Sequence, residues 1–324
     1  MKMSFLFFGN KPDEKWQLAK QMGIDCAIAK LAPELTRNLP PWDYSSLKQS
    51  AEIFQQQGFT LYGLEGDQFD MNRIKLGLDG RDEDIERYCA MLQNMGRLNI
   101  KLLCYNFMAG IGWYRTNKNI PERAGALVNG YDDVVAQGEP LTEFGAVSAE
   151  SMWQNYAYFI KRVMPVAEQS GVQMGLHPDD PPVPVLRGIG RIFTHADAVR
   201  KALLLSHSPS HGLTFCQGTY TTMGEDVKAL IHEFKDRIRF VHIRDVRGHR
   251  YQFQETFHDN GPTDMVEMFR AYKKIGFHGP LRSDHVPTMA GEDNAHSGYE
   301  MKGNLFGIGY MMGIMEAVDK LDNG

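Results

Sequence analysis

The sequence has no run of about 18 apolar residues, the length a membrane-crossing helix needs, so no bilayer partner is expected. Cysteine is sparse. Cys26, Cys89, Cys104 and Cys216 are the only four in 324 residues, and no two form a Cys-x-x-Cys pair. That suits a reducing compartment better than a disulfide framework, so the cytoplasm is the expected location. Dense cationic runs are also missing. Lys and Arg number 35 against 40 Asp and Glu, a formal charge of −5, which gives no footing for a nucleic-acid backbone. No Gly/Ser linker or low-complexity tract divides the chain, and a single domain over residues 1–324 is expected. The apolar start Ser4-Phe5-Leu6-Phe7-Phe8 lacks a small-residue cleavage pattern after it and reads as a first buried strand.

What the chain does have is alternation. Eight short β-prone runs are read at Ser4 to Phe8, Gly23 to Ala29, Phe59 to Leu64, Ile100 to Asn106, Val172 to His177, Gly212 to Cys216, Ile238 to Arg244 and Pro280 to His285. Helical patterns separate them, and one from Tyr299 to Asp319 follows the last. Buried runs alternating with helices argue for a parallel sheet, and eight is the number that closes. The expected fold is a single α/β (β/α)8 TIM barrel with long βα loops. An open doubly wound sheet is the second choice. The long loops are Phe107 to Val147, Pro178 to Thr194 and Val286 to Gly298, the last read as a mobile lid.

In such a barrel the catalytic face lies at the C-terminal ends of the strands. Strands five to eight end at His177, Cys216, His242 and Asp284. Two imidazoles, a thiolate and a carboxylate form a coherent ligand set for Mn, Fe, Co or Zn. The alternatives stay in view: a buried cysteine is commonly an apolar filler, and a single strand-end histidine is commonly structural. Asp179 and Asp180 could orient His177 or form a solvated turn. Arg244 and Asp245 could stand behind the ligands or pair on the surface. Arg115, Lys118 and Arg123, with Trp113 and Tyr114, could grip an anionic sugar acid or face solvent.

The segments Ile74-Lys75-Leu76-Gly77-Leu78, Cys104-Tyr105-Asn106-Phe107-Met108, His177-Pro178-Asp179-Asp180-Pro181-Pro182, Gly212-Leu213-Thr214-Phe215-Cys216, Phe240-Val241-His242-Ile243-Arg244 and Asp284-His285 together resemble the D-mannonate dehydratase family, among the xylose-isomerase-like barrels. The resemblance implies a hydro-lyase that converts D-mannonate to 2-keto-3-deoxy-D-gluconate with Mn²⁺ or Fe²⁺. It implies His177, Cys216, His242 and Asp284 as metal ligands, the four already reached from strand ends. It implies His285 and Tyr299 as proton-transfer residues. Asn106, Arg115 and the backbone at Gly218 are the expected substrate contacts. The chain departs from the family at Ala109-Gly110-Ile111-Gly112 and Gln217-Gly218-Thr219, in loops expected to touch substrate. A related sugar acid therefore stays open. So do an isomerase or epimerase on the same scaffold, a barrel that binds without catalysis, and a homodimeric assembly.

Overall fold

Cys26–Lys30, Leu102–Tyr105 and His211–Cys216 are buried at every position except Lys30, as strands covered on both faces must be. They belong to the barrel of the computed structural model, which describes residues 1–321. Its eight strands are Lys2–Phe8, Cys26–Lys30, Thr60–Glu65, Leu102–Tyr105, Gln173–Leu176, His211–Cys216, Ile238–Ile243 and Pro280–Ser283. Each pairs in parallel with the next, and the eighth closes on the first through Lys2↔Pro280 and Met3↔Leu281. That closure excludes the open sheet.

Several of the helices between the strands start where the sequence supplies a cap. Asp43 accepts from Ser46 N at 2.8 Å ahead of Tyr44–Gln56, and Ser148 accepts from Ser151 N at 3.1 Å ahead of Ala149–Gln169. Some of them are followed by glycines that supply the left-handed backbone an L side chain avoids, such as Gly171 at φ +65° and Gly276 at φ +70°. Their apolar faces lie on the barrel: Trp16 and Phe54 meet Phe7 of the first strand with ring centroids 4.6 and 5.4 Å away. Each such buried aromatic contributes roughly 1.5–3 kcal/mol. Gly224, at φ +82°, ends a short helix Gln217–Met223, and the next begins at Val227 once Asp226 caps Ala229 N at 3.0 Å.

The long loops are more ordered than their composition suggests. Asn117–Pro121 and Leu127–Asp132 join Gln252–Glu255 and Val246–His249 in a four-stranded antiparallel sheet above the C-terminal mouth. It has a small core of its own, with Tyr131, Val246 and Phe253 packed on Val183 and Leu186. The segment expected to be a lid is tied to this sheet. Thr288 and Leu127 exchange backbone hydrogen bonds of 2.8 and 3.0 Å, and Asn294 Nδ2 donates to Lys118 O at 2.9 Å.

Candidate metal centre

Parallel pairing sets Cys216, the last residue of the sixth strand, beside His242 of the seventh. His177 follows the fifth strand directly and Asp284 the eighth. Donor atoms of His177, Cys216 and His242 all lie within 4.8 Å of one another. Asp284 flanks them, with Oδ2 3.7 Å from Cys216 Sγ and 3.9 Å from His242 Nδ1. His177 Nδ1 lies 2.7 Å from Pro178 O. A carbonyl only accepts, so Nδ1 carries the hydrogen and Nε2 keeps its lone pair.

His242 tests whether the set fits a cation. Both its ring nitrogens are buried without a hydrogen-bond partner among the described residues. An unmade buried hydrogen bond costs about 1–3 kcal/mol, and the facing carboxylates stop short of one, Glu65 Oε2 at 3.5 Å from Nε2 and Asp284 Oδ2 at 3.9 Å from Nδ1, so the imidazole is suited to a cation. With a thiol, a second imidazole and a carboxylate around it, the donor set fits a divalent ion. A second group, Glu65, Cys104 and His242, also clusters. Glu65, however, is held by Arg282 through bonds of 3.0 and 2.6 Å. Burial would raise its pKa, but Arg282 and His242 outweigh that and bring it to about 2. Burial pushes the Cys104 thiol well up, which works against the thiolate form that a metal takes.

Beside the first group, His285 joins a chain of three. Its Nδ1 is 2.8 Å from Glu255 Oε1, and its Nε2 is 3.0 Å from Tyr299 Oη. The carboxylate fixes the hydrogen on Nδ1 and leaves Nε2 to accept from the phenol. Burial, with Asp284 nearby, pushes the Tyr299 phenol well up, which keeps its proton in place. Trp113 lies against the imidazole with ring centroids 4.6 Å apart. Asn106, Trp113, His177, His242, His285 and Tyr299 line one cavity.

A buried charge network supports these groups. Arg115 binds Asp180 through two bonds of 2.8 Å and Glu255 through bonds of 2.7 and 3.1 Å. Arg244 binds Asp180 at 2.7 Å, Asp284 at 3.0 Å and the Thr219 hydroxyl at 2.9 Å, and that hydroxyl donates to Cys216 Sγ at 3.1 Å. Burial would raise the Asp284 pKa, but His285, Arg282, His242 and Arg244 hold it well below the carboxylate range.

Two expected substrate contacts are corrected by this arrangement. Arg115 has no exposed side-chain surface, and its guanidinium is spent on Asp180 and Glu255. Gly218 lies under Arg244, whose Cγ would sit 2.6 Å from an added Cβ, so its bareness admits a side chain and not a ligand. Neither Asp179 nor Asp180 orients His177. Asp179 accepts from the amides of Ile192 and Phe193 at 2.8 and 2.6 Å instead. Arg244 takes the inner of its two readings, while Asp245 fastens Thr263 through bonds of 2.7 and 2.8 Å. Glu255 was missed. Its signal was faint: in Gln252–Glu255 it shares the buried face with Phe253, an unusual place for an acid.

The family model described as D-mannonate dehydratase matches residues 1–142 and 136–323. The mannonate dehydratase of Shouchella clausii is 32% identical over 355 aligned positions, covering 98% of each chain. A crystal structure of mannonate dehydratase from Streptococcus suis serotype 2 superposes with a TM-score of 0.91 at 29% identity, covering 99% of this chain and 96% of that one. A D-tagatose 3-epimerase-like protein superposes at 0.63 with 12% identity, a likeness of fold alone.

Proposed function

This chain belongs to the D-mannonate dehydratase family, and on that footing we propose that it dehydrates D-mannonate to 2-keto-3-deoxy-D-gluconate, with Mn²⁺ or Fe²⁺ held by His177, Cys216, His242 and Asp284. The convergence of three donor atoms within 4.8 Å, beside the hydrogen-bonded pair His285 and Tyr299, carries the reading. When bound, the ion supplies Lewis-acid polarisation of the substrate carboxylate and its neighbouring hydroxyl.

The remaining work falls to the protein. Dehydration removes the proton at C2 and expels hydroxide from C3, so it needs both a base and an acid. His285 Nε2 is the available lone pair, because Glu255 keeps the hydrogen on Nδ1. The charge His285 gains on taking the C2 proton is met by Glu255 and by Asp284 Oδ1, which lies 3.6 Å from Nε2. Tyr299, which burial keeps protonated, gives its proton to the departing hydroxide and so releases water. At 3.0 Å, His285 then returns the proton it took to the phenol oxygen. The enol left behind gains a proton at C3 and gives up the one on its C2 oxygen, becoming the 2-keto-3-deoxy acid. Trp113, packed on the imidazole, limits water at the pair.

Purified protein loaded with Mn²⁺ is tested against a panel of hexonates and hexuronates, with α-keto acid and C2 or C3 epimers measured separately. A 2-keto-3-deoxy acid from D-mannonate is expected. An epimer or isomer without loss of water, or no product from D-mannonate, would overturn the reading.

A further inference from the structure

The block Ile74-Lys75-Leu76-Gly77 takes no part in the chemistry above, yet it carries a lysine with no exposed side-chain surface. Lys75 belongs to the short helix Asn72–Leu76, whose position is pinned where Asn155 Nδ2 donates to Lys75 O at 3.1 Å. Its ammonium reaches Asp67 Oδ2 at 2.6 Å, Asn106 Oδ1 at 3.0 Å and Met108 O at 3.2 Å, three acceptors for three N–H groups. Burying an ammonium is expensive, and an apolar side chain would fill the same space without that cost. What Lys75 adds is direction.

Asn106 Oδ1 also accepts from Met108 N at 3.0 Å. Ammonium and peptide N–H groups can only donate, so both partners demand the oxygen and the flipped amide is excluded. The Nδ2 group is thereby left without a hydrogen-bond partner among the described residues. Asn106 borders both the cavity that holds His177, His242 and Tyr299 and the outer cleft beside Lys30 and Asn72.

We propose that Asn106 Nδ2 donates a hydrogen bond to an oxygen of the sugar acid, and that Lys75 is the positioning residue that fixes this donor. The inference rests on the hexonate reading given above. A directed donor accepts a carboxylate or hydroxyl oxygen at that point and rejects a substrate that lacks one. Because the contact exists before the chemical step as well as during it, its loss falls on KM more than on kcat.

The test is a double-mutant cycle on Mn-loaded enzyme with D-mannonate. Asn106→Asp lets Lys75 keep one oxygen while the other faces the substrate as an acceptor, so KM should rise about 10–100-fold, with a far smaller fall in kcat. Lys75→Met should raise KM about 10-fold, and Lys75→Gln, which retains an N–H donor, should recover part of that rise. In an Asn106→Ala background, Lys75→Met should change KM by less than about twofold, because the residue it positions is gone. Multiplying effects in that background would overturn the role of Lys75. An active wild type whose KM is unmoved by Asn106→Asp would overturn the donor itself, even if the Lys75 variants did not fold. A wild type inactive on every hexonate would overturn the functional reading, and this inference with it.

Discussion

Glu255→Gln removes one charge from the buried network while keeping the shape of the side chain. Glu255 Oε1 lies 2.7 Å from Arg115 Nη2, 2.8 Å from His285 Nδ1 and 3.7 Å from Arg244 Nη1, and the carboxylate is buried. Breaking a buried ion pair costs about 3–5 kcal/mol. Asp180 still bonds both arginines in the variant, so the lower end, about 3 kcal/mol, is expected. That is about a 100-fold loss in the folding equilibrium, severe against a total of roughly 5–15 kcal/mol but survivable. The loss of turnover should be larger. An amide can donate to Nδ1, which would move the imidazole hydrogen to Nε2, where His285 must accept. Removing the carboxylate that fixes a catalytic histidine tautomer costs about 10⁴-fold in the serine-protease case, and a fall in kcat of about 10³–10⁴ is expected here. Glu255 is no member of either candidate ligand group, so bound manganese should be unchanged. Urea denaturation, kcat at saturating Mn²⁺ and elemental analysis read the three effects separately. A fully metallated variant with kcat within about 10-fold of wild type would refute the tautomer argument.

Cys216→Ser should weaken Mn²⁺ binding by at least about 100-fold with little change in urea midpoint, whereas a filler cysteine would show only the stability change. Exhaustive chelation should abolish turnover, and added Mn²⁺ should restore it; activity that survives chelation removes the metal from the mechanism. Acid should destabilise the protein before its carboxylates titrate. Burial lowers His211 and His258 to about 4, so between the unfolded value near 6.5 and that value the unfolded chain binds protons the native one refuses. Stability is then full above about pH 6.5 and falls toward pH 4, by about 3 kcal/mol per histidine. Urea midpoints measured across that range in metal-free protein should decline, and His211→Gln should flatten the decline; a wild-type midpoint constant from pH 7 to 4.5 contradicts it.

The barrel was legible because each strand writes its own evidence locally, an apolar run closed by a polar residue. His211–Cys216 is buried throughout and ends on a thiol, and Gln173–Leu176 leads straight into His177. Once eight such runs are counted, closure brings their ends together, and His177, Cys216 and His242 meet although they span 65 residues (242 − 177). The antiparallel sheet left no such trace. Gln252 pairs with Asp132, 120 residues away, and Asn117–Pro121 is mostly exposed, without the alternation of a half-buried strand. Short polar strands of this kind are specified by their partners and not by their own composition.

That missing sheet is also why the charges were misread. In the sequence Arg115 stands among Trp113, Tyr114 and Thr116 in a long loop, and a cation there is normally solvated. The fold turns it inward because Gln252–Glu255 delivers a buried carboxylate to one side of it and the loop after His177 delivers Asp180 to the other. Each carboxylate then has a further partner nearer the reaction: Asp180 binds Arg244, which reaches Asp284, and Glu255 binds His285. The network thus ties an outer sheet to both a candidate ligand and the candidate base. A substitution at Arg115, with no access to substrate, should therefore lower kcat through the disturbed pairing of Glu255 with His285 while leaving KM close to wild type. Arg115→Lys tests this most cleanly, since it keeps the charge but cannot span both carboxylates with a single ammonium as the guanidinium does. A rise in KM with kcat preserved would return Arg115 to the substrate and remove it from the network's chain of support.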